Sequence, residues 1–148
     1  MFNINCSAIE VAKYILWYCE DRCNHPISNL KLQKILYYVQ GKYVANFRKP
    51  LFYNRIEAWD YGPVVPDVYF EFGEYNSKAI KNIKPIDFNL FNEKDETFIN
   101  KIVESLVYKD VWDIVEQTHS EDPWKYSYMR GRNEEISIWD LKDWFEKH

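Results

Sequence analysis

The sequence is poor in the residues and motifs that mark several large classes of protein. It has only 4 glycines among its 148 residues, and it contains no glycine-rich phosphate loop, nucleophile elbow or HExxH motif. Its 3 cysteines are an odd number, which favours reduced thiols over a disulfide framework. These absences favour a protein that is not an enzyme and that needs no disulfides to form its core.

Excess positive charge and long apolar runs are also missing. Lys and Arg number 19 against 23 Asp and Glu, a net charge of -4, which argues against binding that depends on neutralising phosphates. The first residues lack the basic and apolar regions of a signal peptide, and no apolar run approaches the ~20 residues that span a bilayer. We therefore expect a cytoplasmic protein with no membrane partner and no direct nucleic-acid partner.

Aromatic residues, by contrast, are abundant. Six Trp, twelve Tyr and nine Phe make 18% of the chain, more than a small core easily hides. Tyr and Trp are enriched where proteins contact other proteins. The length is typical of one domain, so we expect a single domain over residues 1–148 that exposes an aromatic patch.

Hydrophobic periodicity predicts a mainly α fold. Ser7 and Glu10 have the spacing of a capping box that begins a first helix, and Ser28 is placed to cap a second helix that ends near Phe47. The fold class expected is a compact single-domain bundle of about five to seven helices with a small β element, such as a short hairpin, near residues 51–59.

Elements after the second helix are predicted from turn and cap signals. The β element at 51–59 has two open pairings, as a hairpin or with the segment near Ile83. The remaining predictions, in chain order, are a turn at 60–63, a short helix over 64–73, an irregular segment 74–92 with a strand near 80–86, a helix from 92 that breaks near 109 and resumes to 118, an Asp122 cap with a short helical turn, a loop at 130–133, and a last helix capped by Ser137.

Three small groups of polar residues invite a chemical interpretation. Cys19, Cys23 and His25 offer metal-ligand atoms, but no second pair completes a zinc site, so core thiols are favoured over a metal. His119 beside Glu121 and Asp122 invites an acid–base interpretation, whereas residues at a helix end and a capped turn are the ordinary explanation. We expect no catalytic residue, no cofactor and no metal.

A third group contains the carboxylates Glu57, Asp60 and Asp67. They could be the acids of a hydrolase, but no spacing rule connects them and Asp is common in turns. The interpretation favoured is structural, with the rings of Trp59 and Tyr61 packing this corner against the second helix.

Two stretches of sequence resemble a known family. Leu30 to Gly41 reads LKLQKILYYVQG, and Pro50-Leu51-Phe52 leads to residues 56–66, IEAWDYGPVVP; a later stretch, 118–124, reads THSEDPW. In order and spacing these resemble the Panacea domain, also called the SocA-like or phage-associated GepA-type domain, over residues 8–145. The residues that carry the resemblance are Leu32, Gln33, Lys34, Tyr37, Gln40, Glu57, Trp59, Tyr61, Gly62, Pro63, His119 and Trp124.

The resemblance implies an antitoxin of a type II-like toxin–antitoxin pair, which neutralises a cognate protein toxin by direct binding. Two alternatives stay open. One is a proteolytic adaptor that delivers a toxin or another client to an ATP-dependent protease, and the other is a prophage-encoded host-interaction protein.

Residues on the outer sides of the first two predicted helices are the candidates for partner binding. Aromatic residues on a charged helix face can anchor an interface, and a basic strip can speed association with an acidic partner. The alternatives are an ordinary solvated face and, for the aromatics, coverage by the C-terminal helix or by residues 74–92. The candidates are Tyr14, Trp17, Lys31, Lys34, Tyr38 and Lys42.

Overall fold

A computed structural model describes residues 6–148. The expected class is confirmed: the described chain is mainly helical with one small antiparallel sheet. Its helices are α1 Ala8–Trp17, α2 Asn29–Phe47, α3 Pro66–Glu71, α4 Glu93–Leu106, α5 Val111–His119, α6 Asp122–Arg130 and α7 Ile138–Lys147. A π-helical turn, Tyr18–Arg22, extends α1, and a 3-10 turn, Gly73–Tyr75, follows α3.

Three helices begin at capping serines that the sequence indicated. Ser7 and Glu10 form the reciprocal bonds of a capping box, and Ser28 caps α2 by accepting from the Lys31 amide. Ser137 caps α7 in the same way. These bonds satisfy amides that have no partner inside the helix.

The sheet holds three short strands in the order β2-β1-β3, namely β1 Ile56–Trp59, β2 Gly62–Val64 and β3 Glu134–Ile136. Trp59 pairs with Gly62, so β1 and β2 form a hairpin with a two-residue turn. The β element expected at 51–59 therefore forms only over its second half.

Four details of the prediction are wrong. Residues 62–64, expected to end a turn and begin a helix, form strand β2 instead, and α3 begins at Pro66. No strand forms near 80–86: its neighbour Ala79 makes only an isolated bridge with Ser28. Residues 134–136, expected only to follow a loop, pair with β1 because tertiary packing brings them to its free edge. The cap of α6 is Glu121 rather than Asp122, and α6 runs for 9 residues rather than a short turn.

Helix α2 runs through the middle of the molecule. It packs against α1, α3, α4, α5, α7 and β2, and it is buried nearly all round, including its polar residues. A helix surrounded in this way must find internal partners for its polar side chains, because a buried polar group without one is costly.

Candidate functional site

Two glutamines of α2 hold the segment that carries the hairpin. Gln40 Oε1 accepts from the Leu51 amide at 2.8 Å, while its Nε2 donates to the Phe52 carbonyl at 2.6 Å. Gln33 Oε1 accepts from the Val65 amide at 2.8 Å. The residues before and after the hairpin are thereby bound to the central helix.

Lys34 lies beneath the hairpin, between these two glutamines on α2. Its side chain is fully buried, and Nζ donates to the Pro63 carbonyl at 2.8 Å. Burial lowers the pKa of this amine to about 7, because the charged form loses its hydration. Lys34 therefore works as a buried hydrogen-bond donor to the hairpin.

Gly62 sits directly above Lys34. Its φ of +108° is one that side chains rarely adopt, and a Cβ there would come within 2.7 Å of Thr118 Oγ1 and 2.8 Å of Lys34 Cε. Glycine is thus required here for both conformation and space, and its absence of a side chain lets β2 rest on α2 and α5.

The other side of the hairpin turn is held by three stacked rings. His119 stacks on Trp124 with centroids 4.1 Å apart, and Trp124 stacks on Tyr128 at 4.5 Å. Trp124 Nε1 donates to the Trp59 carbonyl at 2.8 Å, and His119 Nε2 lies 3.0 Å from the Asp60 carbonyl. Burial lowers the pKa of His119, so the neutral ring is favoured.

Asp60, in the turn itself, is fixed by its side chain as well. Tyr128 donates its hydroxyl to Asp60 Oδ1 at 2.7 Å, and Arg132 forms an ion pair with Oδ2 at 3.1 Å. The turn is consequently bound through both its backbone and its carboxylate. We call this assembly of residues 59–63 with Lys34 and the three stacked rings the hairpin corner.

Glu121 joins the α5–α6 junction to α2. It is buried, and its two carboxylate oxygens accept from the hydroxyls of Tyr37 and Tyr38, each at 2.9 Å. Burial raises the pKa of this carboxyl, while the hydroxyl donors oppose the shift. The acid beside His119 therefore serves as a structural acceptor.

The carboxylates Glu57, Asp60 and Asp67 do not share a site. Glu57 accepts from Trp59 Nε1 and pairs with Arg55, and Asp67 accepts from the Asn54 amide nitrogen at 2.7 Å. Each acid has its own partner. The Trp59 ring, expected to pack against α2, lies instead against Tyr69 of α3, with ring centroids 5.1 Å apart.

Most of the predicted partner-binding residues are not at the surface, so the exposure expected of them is wrong. Tyr14 donates to Asn100 and packs edge-on against Phe91. Lys31 Nζ donates to the Val107 carbonyl at 2.8 Å. The outer sides of α1 and α2 are covered because α4, α7 and residues 88–91 pack on them. The four buried residues are Tyr14, Lys31, Lys34 and Tyr38.

Trp17 and Lys42 keep part of their surface exposed. The Trp17 ring packs against Phe88 at 5.1 Å and lies under the Arg22 guanidinium at 5.2 Å. Residues 74–92 thus cover Tyr14 and part of Trp17, as one alternative proposed. The rings of Phe145 of α7 and Tyr38 of α2 also pack together, with centroids 5.8 Å apart.

The exposed aromatic surface lies elsewhere. Tyr61, which was expected to pack on α2, is 59% exposed and instead contacts Trp112 of α5, itself 54% exposed, with ring centroids 5.4 Å apart. Tyr61 stood in the sequence motif, but its exposure at a two-residue turn could be predicted only once the hairpin pairing was known.

A groove of about 520 Å³ opens on another side of the molecule, between the start of α7 and residues 50–56. Its wall is largely apolar, and the exposed rings of Tyr53 and Trp139 stand along it. It is a concave alternative to the hairpin corner.

Of the two cysteines considered as metal ligands, Cys19 is a buried core thiol, as predicted. Cys19 is fully buried, and burial raises its pKa to about 12, which keeps it protonated and unreactive. Cys23 is partly exposed. His25 packs edge-on against Tyr108 at 5.4 Å. Among residues 6–148 no group of three potential metal ligands is found.

The described residues contain no helix that is both long and apolar enough to cross a membrane. No solved structure matches this chain.

Comparison with known proteins identifies the family. Residues 32–125, more than half of the chain, match the family described as antitoxin SocA-like, Panacea domain. The chain is also 46% identical over 57 residues to antitoxin SocA of Caulobacter vibrioides (strain NA1000 / CB15N), an alignment that covers 38% of this chain and 30% of that protein. The chain belongs to the SocA-like Panacea antitoxin family.

Proposed function

We propose that this chain is an antitoxin that binds a cognate protein toxin directly and neutralises it. The observation that carries the proposal is the family match over residues 32–125, which spans most of α2, the hairpin corner except Tyr128, and α5. The curated relative is named as an antitoxin, although the aligned part is 30% of its length. This chain and its toxin would act in the cytoplasm.

The motif residues make hydrogen bonds within the fold, which supports binding rather than catalysis by this chain. Gln33, Lys34 and Gln40 each bond a backbone group of the hairpin segment, and Glu121 is occupied by two tyrosine hydroxyls. Polar groups held in such bonds build a rigid scaffold, so recognition is left to the exposed side chains. A preorganised surface loses less entropy on binding.

The proposed mechanism is occlusion of the toxin by a rigid surface. A scaffold fixed by a buried polar network presents its surface in one conformation, and a toxin bound there has its active site or substrate-binding surface covered. A stable complex of this kind commonly buries about 1,600 Å² in total.

Growth rescue tests the proposal. Each reading frame adjacent to this gene is expressed alone and then together with this chain; we expect one to stop growth and the intact chain to restore it. Purified toxin and chain should then migrate as one complex in size-exclusion chromatography. Lys34→Glu is a folding-defective control, because a carboxylate in this buried position would disrupt the corner.

Three results would decide against the proposal. If no neighbour is toxic, or if the chain never restores growth, neutralisation is rejected. If rescue requires an ATP-dependent protease and toxin abundance falls, the chain is a proteolytic adaptor instead.

A further inference from the structure

One exposed surface combines aromatic rings with uncompensated acidic charge, and we call it the α5 face. It adjoins the hairpin corner and lies within the part of the chain that matches the family. Its members are Tyr61 from the hairpin turn and Trp112, Asp113 and Glu116 from α5.

Tyr61 is an exposed ring on an unusually well-held turn. The neighbouring Asp60 is bonded by Tyr128 and Arg132, and the Trp59 carbonyl accepts from Trp124. A ring whose backbone is already fixed can be covered by a partner at little entropic cost. The turn therefore presents Tyr61 in the manner of a preorganised interface anchor.

Trp112 extends this surface along α5. Its ring meets Tyr61 edge to face, with an interplanar angle of 84°, and both rings remain more than half exposed. Trp and Tyr are the residues most often found at the energetic centre of protein interfaces, and their faces attract Arg and Lys side chains.

The charge on the α5 face has one sign. Glu116 lies one turn after Trp112 on the same side of the helix, with Asp113 beside it, and both carboxylates are exposed. Neither is in an ion pair formed within residues 6–148. The α5 dipole stabilises Asp113, which is in its first turn, but this effect falls off before Glu116.

We propose that the α5 face docks a segment of the toxin rich in lysine and arginine. The inference rests on the proposed function and specifies the surface and the chemistry of the partner. Lysine and arginine side chains of the toxin would stack on the rings of Trp112 and Tyr61. The carboxylates of Asp113 and Glu116 would pair with their positive charge. The net charge of -4 favours the same kind of partner.

Helix α7 offers an internal control because it begins with a similar pattern. Trp139 is its second residue, as Trp112 is in α5, and Asp140 and Asp143 have the spacing of Asp113 and Glu116. Trp139 is 67% exposed and lies along the apolar groove. Equivalent substitutions in the two helices therefore change charge equally at different places.

The first experiment uses a short synthetic peptide of alternating arginine and alanine, titrated into the chain and followed by the tryptophan indole signals in NMR. The Trp112 signal, assigned with Trp112→Phe, should shift first, and Asp113→Lys/Glu116→Lys should abolish the shift. Asp140→Lys/Asp143→Lys should leave it unchanged. A shift confined to the Trp139 signal would overturn the proposal.

The second experiment uses the toxin that growth rescue identifies. We expect Asp113→Lys/Glu116→Lys and Trp112→Ser each to raise the Kd for the toxin by about tenfold or more. Their far-UV circular dichroism should be unchanged, and the α7 variants should bind as the unaltered chain does. If the toxin binds the α5 variants with unchanged Kd, the α5 face is not the docking site, while the proposed antitoxin function still holds. If no toxin is found, the proposed function fails and the peptide titration alone decides the surface.

Discussion

At the scale of single residues, Lys34 shows how a charged side chain can serve inside a core. Its stem lies under Gly62, and Nζ reaches one carbonyl, that of Pro63. No carboxylate within the described residues pairs with it. The burial lowers its pKa to about 7, which reduces the cost of enclosing the amine because the neutral form is accessible.

This shifted pKa predicts a pH-dependent stability. Between about pH 7 and the ordinary lysine pKa of 10.5, the unfolded chain holds a proton that the folded chain does not. The free energy of unfolding therefore rises with pH across this window. Relative to Lys34→Met, which cannot titrate, we expect a gain on the order of 1 kcal/mol per pH unit.

Urea unfolding of both proteins at several values between pH 7 and pH 8.5 measures the effect. Lys42→Met changes a partly exposed lysine on the same helix. Its free energy of unfolding, plotted against pH, should run parallel to that of the unaltered chain. If the Lys34→Met curve also runs parallel, the amine is charged and solvated in the folded protein.

At the scale of elements, the β1–β2 hairpin is too short to be stable alone. Its strands have 4 and 3 residues, and an isolated two-stranded hairpin is marginal at best in water. Here β3 pairs with one edge of β1, while Lys34, Gln33 and the three stacked rings hold the backbone. The hairpin is thus a product of its surroundings.

Gly62→Ala tests this dependence. The substitution forces a Cβ against Thr118 and Lys34 at a φ unfavourable to alanine, so we expect a loss of at least about 2 kcal/mol in the free energy of unfolding. Gly73→Ala is the matched control, since a Cβ there meets nothing within 4 Å. Equal stability of the two variants in urea unfolding would show that the close approach is not needed.

At the scale of the whole molecule, helices outside the matched region complete the core. Phe145 of α7 packs against Tyr37 at 5.6 Å, and a Cβ on Gly41 would lie 2.3 Å from its ring. At the other end, the Tyr18 hydroxyl donates to Glu104 of α4. We propose on these contacts that the chain folds as one domain.

A single domain predicts one cooperative transition. Unfolding in urea followed by tryptophan fluorescence and by far-UV circular dichroism should give coincident curves. Phe145→Ala should lower the free energy of unfolding obtained from both signals equally, by about 3 kcal/mol. Trp139→Ala, at an exposed position, should change it little. Separated transitions, or a shift in only one signal, would indicate two units.

Much of the helical framework could be predicted from the sequence. Ser7, Ser28 and Ser137 begin helices where they were expected to, because capping bonds are local and depend on residues three positions apart at most. The hydrophobic period located the helices for the same reason. Strand β3 was missed because its partner β1 is distant in sequence.

The sequence by itself determined the starts of α1, α2 and α7, the mainly α class and the family, since caps, periodicity and motif order are all properties of short stretches of chain. Only the tertiary structure decided which polar residues face inward. Lys34 and Tyr38 look like surface residues of a helix, yet α2 is surrounded and both are buried. Tyr61 looks like a core aromatic and is exposed, because the turn on which it stands is held by its neighbours. Burial depends on what packs around an element, and that is settled by contacts between distant parts of the chain.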